Sequence, residues 1–279
     1  MKSGFATMVG RPNVGKSTLV NAVVGTKVSI TSDKPQTTRS QIRGIFNGAD
    51  AQIVFVDTPG IHKPRTPFGE RLNAAAQGAV SDTSDIDVVC FVIDATAPIG
   101  KGDRFVAGRL APSTICVVNK IDAVAPSAVV TQLARAGTFG FSEYFPVSAV
   151  TGEGMAALVD GIVARLGEGP AYYPPEMASD VGEVDWVAEL VREQLLIAVH
   201  DELPHAIACR VTEWEWPRIR CEILVERDSQ KGIVIGKSGS VLKAVGTAVR
   251  AQLEPGAYLE LVVSVEADWR RRYTTPLLP

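Results

Sequence analysis

Residues 10 to 17 read Gly-Arg-Pro-Asn-Val-Gly-Lys-Ser, a spacing that suits a backbone cradle for a polyphosphate. Gly10 and Gly15 permit a tight loop whose amides face phosphate oxygens, and a helix starting at its end adds its positive pole. The candidate phosphate-contacting set is therefore Gly10, Arg11, Pro12, Asn13, Val14, Gly15, Lys16, Ser17 and Thr18. Lys16 can bridge the terminal phosphates, and the Ser17 hydroxyl can ligate Mg²⁺. Asp57-Thr58-Pro59-Gly60 supplies a carboxylate for the same ion and, at Gly60, an amide that can approach a γ-phosphate. Alone, Asp-Thr-Pro-Gly is an ordinary turn. Asn119-Lys120-Ile121-Asp122 can read a base: the Asp122 carboxylate accepts from guanine N1–H and the N2 amino group, and adenine offers neither donor there. Asn119 and Lys120 would brace that loop, and the amides of Ser148 and Ala149 are candidates for guanine O6.

These residues need strands and helices to hold them. An apolar run at 5–9 precedes the first motif and a helical run at 18–24 follows it. Residues 27–43 lack either periodicity and read as a loop, within which Thr38, with Thr37 in reserve, is the candidate third Mg²⁺ ligand and γ-phosphate contact. Buried strands are expected at 52–56, 88–94, 114–118 and 144–149, with an amphipathic helix at 155–166. The alternation predicts an α/β fold with a parallel, doubly wound sheet and every motif at a strand end. Asp94 reads as a strand-end polar residue without a role, and His62 as a solvated histidine. The motif order resembles that of Ras-like GTPases. Many of these carry Gln just after Asp-x-x-Gly to orient water. Here Ile61 stands there, so another group must act, with Asn13 as the candidate holder of a monovalent cation and Arg39 and Arg65 as weaker candidates.

At 279 residues, 46% hydrophobic and 21% charged, the chain fits two globular domains. A net charge of −3 excludes global attraction to nucleic acid or anionic lipid, so any such binding needs a local basic face. Cys90, Cys116, Cys209 and Cys221 lack metal or redox spacing and read as core thiols in a reducing compartment; a Cys209–Cys221 disulfide is a minor alternative. No signal-peptide pattern or membrane-length apolar run is seen.

Pro and Gly in 167–180 mark a boundary, giving domains at 1–168 and 183–279 with a linker at 169–182. A helix at about 183–200 buries one face through Val184, Val187, Val191, Leu195 and Ala198. Strands at 205–216 and 218–227 follow, and a last strand at 258–265. Between them Gly236-Lys237-Ser238-Gly239 joins two helical runs. That order matches a KH domain, an α+β unit whose G-x-x-G loop presses on a single strand's backbone. Lys231, Lys237, Ser238 and Lys243, with Gly236 and Gly239, are the candidate RNA-contacting residues, and Arg250 extends their basic face. Trp214 and Trp216 alternate on one strand and point to the same side, as half-buried core or as a stacking platform, while the tail from Trp269 to Tyr273 reads as a solvated end, with rRNA contact as the alternative.

A GTPase domain followed by a KH domain resembles the Era family of bacterial ribosome-assembly GTPases across essentially the whole chain. The resemblance rests on the motifs at 10–17, 36–39, 57–60, 119–122, 148–149 and 234–239. It implies binding of the 16S rRNA 3′ end by the KH domain, assistance to 30S subunit assembly, and release on GTP hydrolysis to GDP. It further implies Mg²⁺, use of K⁺, and a cytoplasmic monomer with peripheral association at the inner face of the cell membrane. The tail after Trp269 is shorter than the family's. Two other readings remain: a constitutive RNA binder with a structural nucleotide, and a membrane-associated signalling GTPase.

Overall fold

β1 (Lys2–Val9) is buried along most of its length, as a strand flanked by neighbours and covered on both faces must be. The computed structural model describes residues 1–32, 42–57, 86–199, 206–267 and 269. Among these, 1–29 and 42–180 form one compact unit, and 30–32 with 181–269 form another.

In the first unit β1 is joined by β2 (Ile42–Asn47), β3 (Ala51–Asp57), β4 (Val88–Asp94), β5 (Ile115–Asn119) and β6 (Glu143–Pro146), in the order β2-β3-β1-β4-β5-β6. Five strands run parallel, as expected. β2 does not: it pairs antiparallel with β3, so the sheet is mixed, and the expected loop ends before Ile42. Gly44 hid this strand from the periodicity. A side chain there would strike Val20, Val24 and Val28. The bare backbone lets α1 (Lys16–Val24) settle on the sheet, burying Leu19, Val20 and Val23.

α1 and α4 (Met155–Val163) cover one face, where Leu19, Val20, Leu158 and Ile162 meet Ala6, Met8, Ile53 and Phe55. α2 (Lys101–Ala107) and α3 (Pro126–Ala136) cover the other, where Val106 and Ala136 meet Val9, Phe91, Ile93 and Val118. Cys90 and Cys116 are fully buried, and loss of water pushes both thiols up to about 12.

The stretch expected as a linker is held on this unit as far as Asp180. Gln52 is 1% exposed and is the clasp. Its Oε1 accepts the Tyr172 and Tyr173 amides at 2.7 and 3.0 Å. Its Nε2 donates to Tyr173 O at 2.8 Å and to Asn47 Oδ1 at 2.7 Å. The tyrosine rings and backbone here find partners on the sheet, which Pro-Gly composition alone does not reveal.

The second unit packs α5 (Glu183–Ala198), α6 (Asp228–Ile235) and α7 (Ser240–Arg250) on a sheet of β7 (Ala208–Glu215), β8 (Arg218–Val225) and β9 (Tyr258–Val265), with β8 central. β7 is antiparallel and β9 parallel to β8. On α5 Val187, Val191 and Leu195 are buried as expected; Val184 and Ala198, at its two ends, are exposed. Thr31 N–H donates to the buried Glu193 carboxylate at 2.9 Å. Cys209 and Cys221 are free and buried; burial, then a bond to Cys221, pushes the Cys209 thiol up. Two aromatic expectations change. Trp216 lies in the turn beyond β7 and is 51% exposed, whereas Trp214 packs against the core. Trp269 is not solvated: it packs on Ala208 and Leu224 and donates Nε1–H to Ala206 O at 3.1 Å. Arg270 to Tyr273 lie outside the described residues.

Gln52→Ala should strand the Tyr172 and Tyr173 amides and cost about 2–4 kcal/mol. Urea unfolding should show that loss, and limited proteolysis should cut within 169–180 faster than in the parent protein.

Candidate functional site

The described motif residues of the first unit gather at the C-terminal ends of parallel strands, where an open α/β sheet leaves a crevice. β1 delivers the loop 10–15, and the pairing of Met8 with Asp57 sets the end of β3 beside it. β5 ends at Asn119, and the loop after β6 carries Ser148 and Ala149.

Gly15 adopts φ +97°, a left-handed value that only glycine takes without strain. A side chain there would also collide with the Asn119 amide. Asn119 is 2% exposed and uses both ends of that amide: Nδ2–H donates to Val14 O at 2.9 Å, and Oδ1 accepts the Ala149 N–H at 3.2 Å. One side chain thus fixes three loops.

Lys16 begins α1 and is buried, its ammonium donating to Gly10 O at 3.2 Å and Arg11 O at 2.9 Å. The charge lies inside the loop, where a polyphosphate would meet it. Ser17 follows in the first turn. Arg11 turns outward, its Nε 2.7 Å from the Asp103 carboxylate, which is 1% exposed. Asn13 and Lys120 both take left-handed backbone, at φ +66° and +68°. Lys120 donates to Asn13 O at 2.7 Å and to Asp94 Oδ2 at 2.6 Å.

Asp94 therefore has a role the linear chain concealed. It holds the Lys120 ammonium and accepts from the Thr96 hydroxyl at 2.6 Å and the Thr96 amide at 2.8 Å. Burial alone would raise its carboxyl. The bonds from Lys120 and Thr96 outweigh that and hold it below the usual carboxylate range. Gln132 of α3 donates to Asp94 O at 3.0 Å and Ala97 O at 2.8 Å, securing the same strand end. The available signal was position: a carboxylate ending the buried strand beside the one that carries Asn119.

Asp122 is exposed on a short 3₁₀ turn, Ile121–Ala123, with its carboxylate open to a ligand. Ser148 and Ala149 lie on the loop after β6, beside Asn119. The Ser148 amide donates to Glu153 O at 2.9 Å, and the Ala149 amide is engaged by Asn119. Both amides brace their loop. Thr37, Thr38, Arg39, Thr58, Pro59, Gly60, Ile61, His62 and Arg65 lie outside the described residues, as does the Asp57 side chain.

In the second unit, the loop between α6 and α7 passes through Gly236, Ser238 and Gly239 at φ +75°, +52° and +78°. Lys237, Ser238, Lys243 and Arg250 are exposed there, Lys231 is half-buried, and Ile233 is 53% exposed on α6. Val245 and Val249 anchor α7 from its buried face.

Fold and site together define a P-loop GTPase unit in one chain with a KH unit. The family of 50S ribosome-binding GTPases matches residues 5–120, and the KH domain family matches 202–270. GTPase Era of Mycolicibacterium paratuberculosis is 46% identical over 96% of this chain and 95% of its own length, and GTPase Era of Clostridium botulinum is 43% identical with the same coverage. The crystal structure of an Aquifex aeolicus Era variant bound to GDP and AlF4⁻ superposes with a TM-score of 0.90 at 36% identity, covering 98% of this chain and 96% of that one. Era in complex with MgGDPNP and nucleotides 1506–1542 of 16S ribosomal RNA superposes at 0.89 and 37% identity, with the same coverage. The chain belongs to the Era family of GTPases, and it hydrolyses GTP to GDP and phosphate.

Asp94→Asn should loosen Lys120 without touching nucleotide. A lost charge-assisted bond of about 1.5 kcal/mol corresponds to roughly tenfold weaker GDP binding. Titration with a fluorescent GDP analogue reads it; unchanged affinity would return Asp94 to a passive strand end.

Proposed function

We propose that this protein is a GTP switch that binds the 3′ end of small-subunit 16S rRNA through its KH unit and assists 30S subunit assembly. One observation carries the reading: a complete phosphate loop with its base-reading loop shares a chain with an exposed Lys237-Ser238 tip between left-handed glycines. A family member solved with both MgGDPNP and 16S rRNA nucleotides supports it.

Lys16 and the start of α1 would neutralise charge on the terminal phosphates as water attacks the γ-phosphorus. Hydroxyl and carboxylate oxygens at Ser17, Thr38 and Asp57 suit Mg²⁺, and the fit is supported by Ser17 in the first turn of α1 and by β3 ending beside β1. Mg²⁺ held there would supply charge neutralisation across the β- and γ-phosphates. Gly60 would report the γ-phosphate through its amide. Asp122 would read guanine, and a bound base would cover its exposed carboxylate, so that a base lacking the matching donors leaves it unpaired. With Ile61 unable to bond water, Asn13 would hold K⁺, giving slow unaided turnover. Gly236 and Gly239 would let the loop meet the RNA backbone, with Lys231, Lys237, Ser238 and Lys243 beside it. The same reading makes the protein a cytoplasmic monomer, peripheral at the membrane's inner face when it associates there. No helix among the described residues is long and apolar enough to cross a membrane.

The test is steady-state GTP turnover in K⁺ and in Na⁺ buffer, with and without a short strand copying the 16S 3′ end. Faster turnover in K⁺, and a further rise of about tenfold with RNA, or ~1.4 kcal/mol of barrier, are expected. The rise should vanish in Gly236→Asp/Gly239→Asp, whose added carboxylates repel phosphate. Turnover indifferent to RNA, with equal RNA affinity in GTP and GDP, would leave a constitutive RNA binder instead.

A further inference from the structure

A second basic surface lies on the GTPase unit, along α2 and the end of α3. Pro98, Ile99, Arg104, Arg135 and Thr138 line a cleft of about 380 Å³ between the start of α2 and the end of α3. Two arginines thus line one space together with the apolar Pro98 and Ile99. Lys101, Arg104 and Phe105 on α2 and Arg109 in the turn just past its end are all exposed. Phe105 is 38% exposed, and the Arg109 guanidinium sits over its ring at 3.6 Å from the centroid.

The charge here opposes that of the chain. Residues 95–141 hold Lys101, Arg104, Arg109, Lys120 and Arg135 against Asp103 and Asp122. Asp103 is committed to Arg11 and the Gly100 amide, and Lys120 to Asp94. Asp122 belongs to the base-reading loop. Four cations remain, and none has a carboxylate partner among the described residues. In a chain of net charge −3, such a cluster costs self-repulsion that folding does not need.

The walls are fixed. Gln132 ties α3 to the segment carrying Pro98 through Ala97 O, Thr138 Oγ1 donates to Arg135 O at 2.7 Å, and Phe139 packs edge-on against Phe91. Guanidinium forks pair bidentately with phosphodiester oxygens, and four cations without carboxylate partners among the described residues on one surface suit a polyanionic backbone more than a single carboxylate.

We propose that the cleft of Arg104 and Arg135, with the Lys101–Phe105–Arg109 stripe, is a second RNA-docking surface that takes the phosphate backbone of small-subunit rRNA outside the strand read by the KH loop. It rests on the RNA-binding reading above.

The test uses the full chain with a GTP analogue and two probes: the short 3′ strand and a transcript of the small-subunit rRNA 3′ domain. Arg104→Ala/Arg135→Ala should bind the transcript about tenfold more weakly, with a salt slope lower by about two. Its GTP turnover and short-strand affinity should stay at the parent level, and Arg104→Lys/Arg135→Lys should recover part of the slope. Parent-level transcript affinity and slope in the alanine variant would overturn the proposal and leave the KH reading standing. A lowered slope in a protein that ignores the short strand would uphold the cleft and sink the KH reading. Weaker binding to purified 30S subunits with an unchanged transcript slope would reassign the surface to an acidic protein and also overturn the proposal.

Discussion

The nucleotide crevice depends on one buried amide. Asn119 donates to the phosphate loop at Val14 and accepts from the loop after β6 at Ala149, while itself ending β5. Removing it would leave the buried Val14 carbonyl without its partner, worth about 1–3 kcal/mol, and release the part-buried Ala149 N–H. The same contact explains why position 15 has no side chain: the amide occupies that space. Phosphate binding and base reading are therefore one rigid arrangement, since neither loop can move without breaking a bond to the other.

Around that amide, charge is arranged locally. Lys16 is drawn inward by carbonyl oxygens of its own loop, Lys120 is held by Asp94, and Arg11 is held outward by Asp103. The two carboxylates fix the directions of two of these three cations, Lys120 and Arg11, and backbone carbonyls fix the third. Asp94 and Asp103 each also bond backbone amides, so the partners of the cations are themselves immobile.

Much of this was legible before any coordinates. Complete motifs such as 10–17 and 119–122 name their own chemistry, and long apolar runs such as 88–94 name their strands. What stayed hidden depended on contacts distant in sequence. Gly44 looks like a strand breaker until α1 is packed over it. Asp94 looks idle until Lys120, 26 residues on, reaches back to it. Tyr172 and Tyr173 look like linker until Gln52, about 120 positions earlier, accepts their amides. Trp216 fell to a different error: alternation was carried one residue past the end of β7, where a turn resets the direction of the side chain.

The segment before Asp180 has a further consequence. β2 is the outermost strand on its side of the sheet, and an uncovered strand invites pairing with another chain. Here Ile45 donates to Ala178 O at 2.8 Å, Gly44 bridges Ser179, and Arg43 N–H is taken by Asp180 at 3.1 Å. Tyr173 and Asp180 both bond the Arg43 guanidinium. The protein thus caps its own sheet margin with the chain that leads out of the GTPase unit. Tethering of that exit and resistance to strand-by-strand self-association are one property, maintained by the same few backbone bonds.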